Sequence, residues 1–377
     1  MIKSIAILRE SKTDSKGREV ENRVIIPAPL LQQVKDKFPG LQIYVESGAG
    51  SRIDYPDPSY EQSGASICTR GKALEQELVL GVKETRLEDF SKLGLNIFIS
   101  YQHFAAGRER TEAAMKTRAT FIALETMEED GKFPCLIPMS EAAAKIIARH
   151  ADEYALLSKK IITSGLPETG LHGAKVAVIG GGSLGKTAAE EFSERGCEVT
   201  LLEKNPARLK FLAEYFKTNQ IRFPKVKALE TTPENIRNSV RDSLFLVSSV
   251  YVSGRKPEKL ITLDVLKTMI PGGCVYPADI DQGGSVEGVV ETSILEPFDL
   301  PTIPGTGIFF FAPPNLPSMG ARTASEALGT VVLPYVMEII EKGLDKAAED
   351  NAAIKSGINI QNGKIVHPGL ASVFPIR

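Results

Sequence analysis

The chain is poor in cysteine and histidine, with four of each in 377 residues. Cys68, Cys135, Cys197 and Cys274 are scattered and form no CxxC pair. This argues against a disulfide framework or a cysteine-rich zinc site and suits a reducing cytoplasm. His103, His150, His172 and His367 show no HExxH spacing, so no metal is expected. An excess of charge is also missing. Lys+Arg number 45 and Asp+Glu 47, a formal net charge of −2, so no broad basic field invites nucleic acid or an anionic membrane surface. No uninterrupted apolar run reaches the ~18 residues of a membrane span. The longest, 328–340, is broken by Pro334 and Glu338. The start, Met1-Ile2-Lys3-Ser4-Ile5, meets Arg9-Glu10 without a long apolar segment, so no secretory signal is expected.

What is present is ordinary globular composition, 42% hydrophobic and 24% charged. At this length it predicts a substantial core and two domains. Short apolar runs at 4–8, 41–45, 78–82 and 96–100 alternate with helical patterns at 29–37 and 108–116. The alternation predicts an α/β fold around a mostly parallel sheet. A long helix is predicted over 140–158 with Ser140 as N-cap, then a loop at 163–167. A second α/β series follows: strand 175–179, helix 183–195, strand 198–202, helix 206–216 and strands 243–247 and 273–276. The Pro/Gly-rich stretch 301–317 reads as a linker or site loop. A final helix, 321–342, carries Pro334, where a kink is expected.

The most specific local signal is Gly180-Gly181-Gly182-Ser183-Leu184-Gly185, a GxGxxG between the strand 175–179 and an amphipathic helix. Gly180 permits a tight turn, Gly182 lets the backbone approach a pyrophosphate, and Gly185 lets helix and strand pack closely. The helix start, at Ser183 and Leu184, offers free N–H groups and partial positive charge to phosphates. The next strand ends at Glu203, 18 residues after Gly185. An acid there accepts hydrogen bonds from ribose hydroxyls and repels a 2′-phosphate, so NAD is favoured over NADP.

A dinucleotide turn does not name a substrate. Four segments offer chemistry. Arg23, in Glu21-Asn22-Arg23-Val24, could clamp a carboxylate bidentately. Lys83 ends the apolar run 78–82, at the carboxyl end of a strand, where crevices form. His103 follows the strand 96–100 and is a natural general acid/base. Asp279 and Asp281, beside Gly283-Gly284, suit close contact with a ligand.

Taken in order, these segments resemble the alanine dehydrogenase/pyridine nucleotide transhydrogenase N-domain family. The resemblance rests on Arg9-Glu10, Glu21–Val24, Val82-Lys83-Glu84, His103-Phe-Ala-Ala, Pro138-Met-Ser-Glu141, Gly180–Gly185, Asp279–Gly284 and Asn315-Leu-Pro. It implies two Rossmann-like domains: a catalytic domain built from residues 1–138 and 304–377, and an NAD-binding domain over 139–303. It implies that Arg23 and Lys83 bind the substrate carboxylate, with Lys83 also polarising the reacting carbonyl. His103 would be the acid/base and Asp281 the aspartate near the nicotinamide and the substrate amine. Asn315 and Ser140 would line the nicotinamide site, with Asp279 beside the cofactor.

The implied reaction is oxidative deamination of L-alanine or a similar small L-amino acid to the 2-oxo acid and ammonia, and its reverse. Two other activities stay open: a saccharopine- or opine-type dehydrogenase joining an amino acid to an oxo acid, and a transhydrogenase-like NAD(H)-binding module. The resemblance further implies a cytoplasmic homo-oligomer, hexameric in the family, with no nucleic-acid or membrane partner. The chain departs from the family pattern at Thr85, where proline usually follows Val-Lys-Glu. It departs again at Ser248-Ser249-Val-Tyr-Val-Ser-Gly254, where Gly-Ala-Val-Leu-Val-Pro-Gly is typical.

Overall fold

A computed structural model of the chain describes residues 1–157, 171–250, 252 and 257–374. The loop expected at 163–167 and the last residue of the helix expected at 140–158 lie outside the described residues. The chain divides into two compact units. The first comprises Met1–Met139 and the segment that begins at Pro317; the second begins at Ser140 and ends at Leu316.

Six strands of the first unit come from the N-terminal part: β1 (Ser4–Ile7), β2 (Gln42–Glu46), β3 (Ser66–Cys68), β4 (Leu78–Leu80), β5 (Ile97–Ser100) and β6 (Thr120–Ala123). They are parallel and lie in the order β6-β5-β4-β1-β2-β3. Strand order therefore reverses between β1 and β4, and the carboxyl ends of these two strands are where open parallel sheets place their ligands. β1, β4, β5 and β6 are buried at every position. Strands covered by helices on both faces must be apolar throughout, hence their continuous runs rather than a polar alternation. Side chains still part by face: Ile5 and Ile7 enter one cluster, Ala6 and Leu8 another. The first cluster is completed by the helices Ala28–Lys37 and Ala321–Lys342.

The second unit repeats this plan. It contains β7 (Lys175–Ile179), β8 (Glu198–Glu203), β9 (Val226–Glu230), β10 (Phe245–Ser248), β11 (Cys274–Pro277) and β12 (Phe309–Phe310). Their order is β9-β8-β7-β10-β11-β12, again parallel, reversing between β7 and β10. Val176 and Val178 face one apolar cluster, Ala177 and Ile179 the other. The chain then returns to the first unit. There β13 (Ile358–Gln361) pairs antiparallel with β6, and β14 (Lys364–Ile365) with β13. Both ends of the chain thus build one eight-stranded sheet.

Two readings change. The long helix runs Leu136–Leu157, so Ser140 lies inside it and is not its N-cap. Pro138 falls within the first turn, where a helix needs no N–H from that residue. The 301–317 stretch is not a linker, because Phe309–Phe310 is the edge strand of the second sheet and Ile303, Ile308 and Phe311 are buried. The stretch Leu316–Lys342 is long and apolar enough to cross a membrane by length and composition. Helix geometry continues through Pro334 and Glu338, which had broken the run in sequence. Its Leu328, Val332, Val336 and Ile340 pack into the core of the first unit.

Within that helix, a Cβ on Gly329 would stand 2.7 Å from Leu30 Cδ1, 3.0 Å from the Ile25 carbonyl oxygen and 3.1 Å from Pro27 Cδ. Gly329→Ala should therefore destabilise the fold by about 1–3 kcal/mol, as overpacking does, despite alanine's better helix propensity. Thermal unfolding checks this; an unchanged or raised Tm would show that the neighbouring helix yields without strain.

Candidate functional site

In the first unit, charged side chains gather where strand order reverses. β1 leads to Glu10, β4 to Lys83 and Glu84, and β5 to Tyr101, Gln102 and His103. Arg23 is almost fully buried and bound bidentately by Glu21, with Nε 2.7 Å from Oε1 and Nη2 2.7 Å from Oε2. A third nitrogen, Nη1, lies 3.1 Å from Met139 Sδ. Burial opposes the charge on both partners, yet their mutual attraction wins: Glu21 is held below the usual carboxylate range and Arg23 above its own. The expected carboxylate clamp is thus already half engaged by an internal acid. This fixes the plane of the guanidinium and leaves its other N–H groups for a ligand.

Lys83 bears electrostatically on Glu21 and on Glu84. His103 Nδ1 lies 2.9 Å from Glu84 Oε1, and its ring stacks beside Tyr101 at 6.3 Å between centroids. Arg23, Lys83 and His103, far apart in sequence, are thereby brought into one group. The Tyr101 hydroxyl donates to the Cys135 carbonyl at 2.6 Å. Burial, with Cys135 next, lifts its pKa well above the usual tyrosine value, so it stays neutral.

The second unit holds the glycine turn. Gly180 has φ +101°, a conformation that favours glycine. A Cβ on Gly185 would stand 1.8 Å from the Gly180 carbonyl oxygen, which any side chain forbids. Gly182 has nothing within 4 Å of its would-be Cβ, leaving open space for a close ligand. Gly181, not singled out from the sequence, is also constrained: a Cβ would stand 2.4 Å from Leu212 and 2.8 Å from Glu203 Oε2.

The Ser183–Glu194 helix has no side-chain cap. Its ladder begins with Lys186 N–H donating to Gly182, so the amides of Ser183, Leu184 and Gly185 are the orphans of its first turn. Glu203 ends β8 with Oε2 accepting from the Gly181 amide at 2.9 Å and Oε1 from the Asn205 amide at 2.6 Å. A carboxylate so oriented keeps lone pairs for two ribose hydroxyls. Amides for a pyrophosphate, an open face at Gly182 and an acid at the neighbouring strand end together fit a dinucleotide.

Asp279 follows β11 and is buried. Its Oδ2 accepts from Ser285 Oγ at 2.6 Å, Ser248 Oγ at 3.1 Å and the Val250 amide at 3.3 Å, while Oδ1 has no partner among the described residues. Burial raises this carboxyl against those bonds. Asp281 sits in the short turn Ile280–Gln282 and is half-buried. Asn315 is buried near the end of the second unit, and Ser140 is half-buried in its helix.

Residues 7–143 match the family description "Alanine dehydrogenase/PNT, N-terminal domain" and residues 144–368 "Alanine dehydrogenase/PNT, C-terminal domain". The chain belongs to this alanine dehydrogenase/PNT family. It is 34% identical to alanine dehydrogenase of Bacillus subtilis over 358 residues, covering 93% of this chain and 91% of that one. It is 29% identical to alanine dehydrogenase 1 of Staphylococcus aureus over 373 residues, covering 98% and 96%. A solved L-alanine dehydrogenase superposes with a TM-score of 0.82 at 28% identity, over 99% of both chains. The transhydrogenase of Sinorhizobium meliloti shares the fold, with a TM-score of 0.72 at 19% identity.

Within this member of the alanine dehydrogenase/PNT family, sequence reasoning missed the acids behind the cations: Glu10, Glu21, Glu84 and Glu125. The available signal was adjacency, since Glu21 precedes Arg23 by two residues and Glu84 follows Lys83. Glu10 is half-buried, and Oε1 accepts the Val82 amide at 2.5 Å. Burial pushes its carboxyl up to about 7. From roughly pH 4.3, where an unfolded glutamate ionises, up to about 7, the folded chain retains a proton that the unfolded chain has released. Stability contributed by this group therefore falls as pH rises through that window. Glu10→Gln should remove the loss while keeping an acceptor for the Val82 amide. Its Tm relative to the parent should rise between pH 5 and pH 8. Parallel pH dependence of the two proteins would show that Glu10 ionises normally.

Proposed function

We propose that the chain is an NAD-dependent L-alanine dehydrogenase, interconverting L-alanine, or a similar small L-amino acid, with the 2-oxo acid and ammonia. One observation carries this: Lys83 and the Glu84–His103 pair share a buried group in the first unit of a chain whose second unit carries a dinucleotide turn. A module that only delivered NADH would need no proton-transfer pair.

NAD, when bound at the Gly180–Gly185 turn with its ribose on Glu203, supplies the acceptor for the hydride leaving the amino acid's Cα. The chain's own residues do the rest. Arg23, locked by Glu21, and Lys83 hold the substrate carboxylate, and Lys83 polarises the oxygen or nitrogen on the reacting carbon. The amino acid, having lost hydride and an amine proton, is an imine. His103 takes a proton from water as the oxygen adds to the imine carbon. It then returns that proton to the nitrogen, and as the C–N bond breaks it takes the hydroxyl proton of the carbinolamine, so that ammonia leaves the 2-oxo acid; this proton and the one lost from the amine pass to solvent. Water supplies the oxo oxygen, so atoms and charge balance. Asp281 is assigned to the substrate amine, and Asn315, Ser140 and Asp279 to the nicotinamide end, as the resemblance implies. The reading includes a cytoplasmic homo-oligomer acting on small molecules.

The test is NADH oxidation with pyruvate, comparing ammonium with a panel of amino acids as nitrogen donor. Turnover with ammonium is expected. Turnover only with an amino acid would move the chain to the opine- or saccharopine-type reaction, and silence with both despite NADH binding would favour the cofactor-binding module. His103→Ala should lower kcat by roughly 10²–10⁴ and leave NADH binding near normal, because only the proton transfer is lost. Wild-type turnover would remove His103 from the chemistry. Glu203→Ala should raise the Kd for NAD and narrow its advantage over NADP in fluorescence titration. An unchanged preference would take the acid off the ribose.

A further inference from the structure

We propose that His103 is set for proton transfer by two glutamates outside the assigned site residues, Glu84 at its ring and Glu125 at its backbone, with the Thr85–Gln102 side-chain pair locking the two loops together. The proposal rests on the functional reading above and names the positioning residues of the same acid/base.

His103 has φ +47° and ψ 38°, the left-handed region that histidine seldom adopts. Such a backbone persists only where its surroundings over-determine it. They do here. Glu125, at the end of β6, is buried and accepts two consecutive amides, Gln102 N–H on Oε2 at 3.1 Å and His103 N–H on Oε1 at 2.7 Å. One carboxylate thus grips the peptide on each side of Gln102.

At the ring, Glu84 Oε1 lies 2.9 Å from Nδ1, with both side chains largely buried. Burial alone would raise the Glu84 carboxyl. Lys83, the bond to His103 and Lys12 pull it well below the usual carboxylate range, so it is ionised and can only accept. An acceptor at Nδ1 places the proton of neutral imidazole there and leaves the lone pair on Nε2. Nε2 is then the atom that takes the proton from water, and the imidazolium so formed is stabilised by the adjacent carboxylate. Among the described residues, the charged and titratable groups around the ring include Glu84 and Lys83 after β4, Tyr101 on its own loop, Glu125 behind its backbone, and Lys12, which acts on Glu84 from the loop after β1.

The lock between the loops uses Thr85, where this chain departs from the family pattern. Gln102 Nε2 lies 2.9 Å from Thr85 Oγ1 and 2.9 Å from Ser100 Oγ, while the Thr85 amide donates to Gln102 Oε1 at 3.4 Å. Thr85 and Gln102 are both buried. The proline usual at this position in the family pattern could supply neither N–H nor hydroxyl. Here a side-chain pair ties the residue after Glu84 to the residue before His103, so the two partners cannot drift apart.

The experiment is Glu84→Gln, read in two ways. In the ligand-free protein, the imidazole ¹⁵N shifts of His103 should show protonated Nδ1 and bare Nε2 in the parent above its titration, and mixed tautomers in the variant, since glutamine can donate as well as accept. In the oxidative direction, the acidic limb of the kcat/KM profile should move down by roughly one pH unit as the carboxylate's charge is lost. kcat should fall roughly 10–100-fold, the scale on which partners of a working imidazole act. The KM for NAD should hold, and Glu84→Asp should restore part of the loss. A parent spectrum with the proton on Nε2 would overturn the proposal without any variant, and so would a Glu84→Gln enzyme with the parent's tautomer and pH profile. If His103→Ala keeps full turnover, the functional reading fails instead, while the ¹⁵N spectrum still judges the frame.

Discussion

A buried charge must find its partner inside the protein, and that constraint organises the first unit. Arg23, with almost no exposed surface, would be costly alone; Glu21 neutralises it through two short bonds and fixes its plane. The same applies one strand further on, where Lys83 and Glu84 leave the end of β4 as neighbours of opposite sign. Because the Arg23–Glu21 pair is complete before a ligand arrives, the guanidinium is held in orientation rather than free to swing. Preorganised charge of this kind is what an acid/base reaction at a carboxylate-bearing substrate requires.

The sheet places that constraint. In each unit the order of parallel strands reverses next to the first strand, between β1 and β4 and between β7 and β10. Strand ends there diverge to opposite faces, and the loops that follow them surround a crevice. In the first unit the loops supply Glu10, Lys83, Glu84 and His103; in the second they supply the glycine turn, Ser248 and Asp279. One topology is used twice with different residues, acids and cations in one unit and backbone amides in the other. The amide unit offers N–H groups and helix polarity of the kind that suits phosphates, while the charged unit gathers paired acids and cations.

Much of the fold was legible. The strands 175–179 and 198–202 and the helix 321–342 stood out as continuous apolar or periodic runs, and each is an element of the structure. The elements that escaped are those whose residues carry little pattern. β9 is mostly exposed, β3 has three residues, and β12 and β14 have two each. They are strands because a neighbour offers a ladder of hydrogen bonds, which is a property of the sheet and not of the segment. The helix that starts at Leu136 was misread for a related reason. Ser140 has the side chain of an N-cap, yet the helix starts four residues earlier, with Pro138 in the first turn, where proline removes no helical hydrogen bond.

The sequence by itself determined the α/β character, the glycine turn with Glu203 in register, and the identity of the chemical groups at Arg23, Lys83 and His103. These follow from local rules of periodicity, turn geometry and the donors and acceptors each side chain carries. Only the tertiary structure decided that both ends of the chain build one sheet, that Gly181 has no room for a side chain, and that Arg23 is already bound to Glu21. Only it brought Glu84 and Glu125 to the ring and backbone of His103 and held that residue left-handed. Those outcomes depend on which strand ends lie side by side. Burial then compels every charge gathered there to be paired, and no reading along the chain can supply that adjacency.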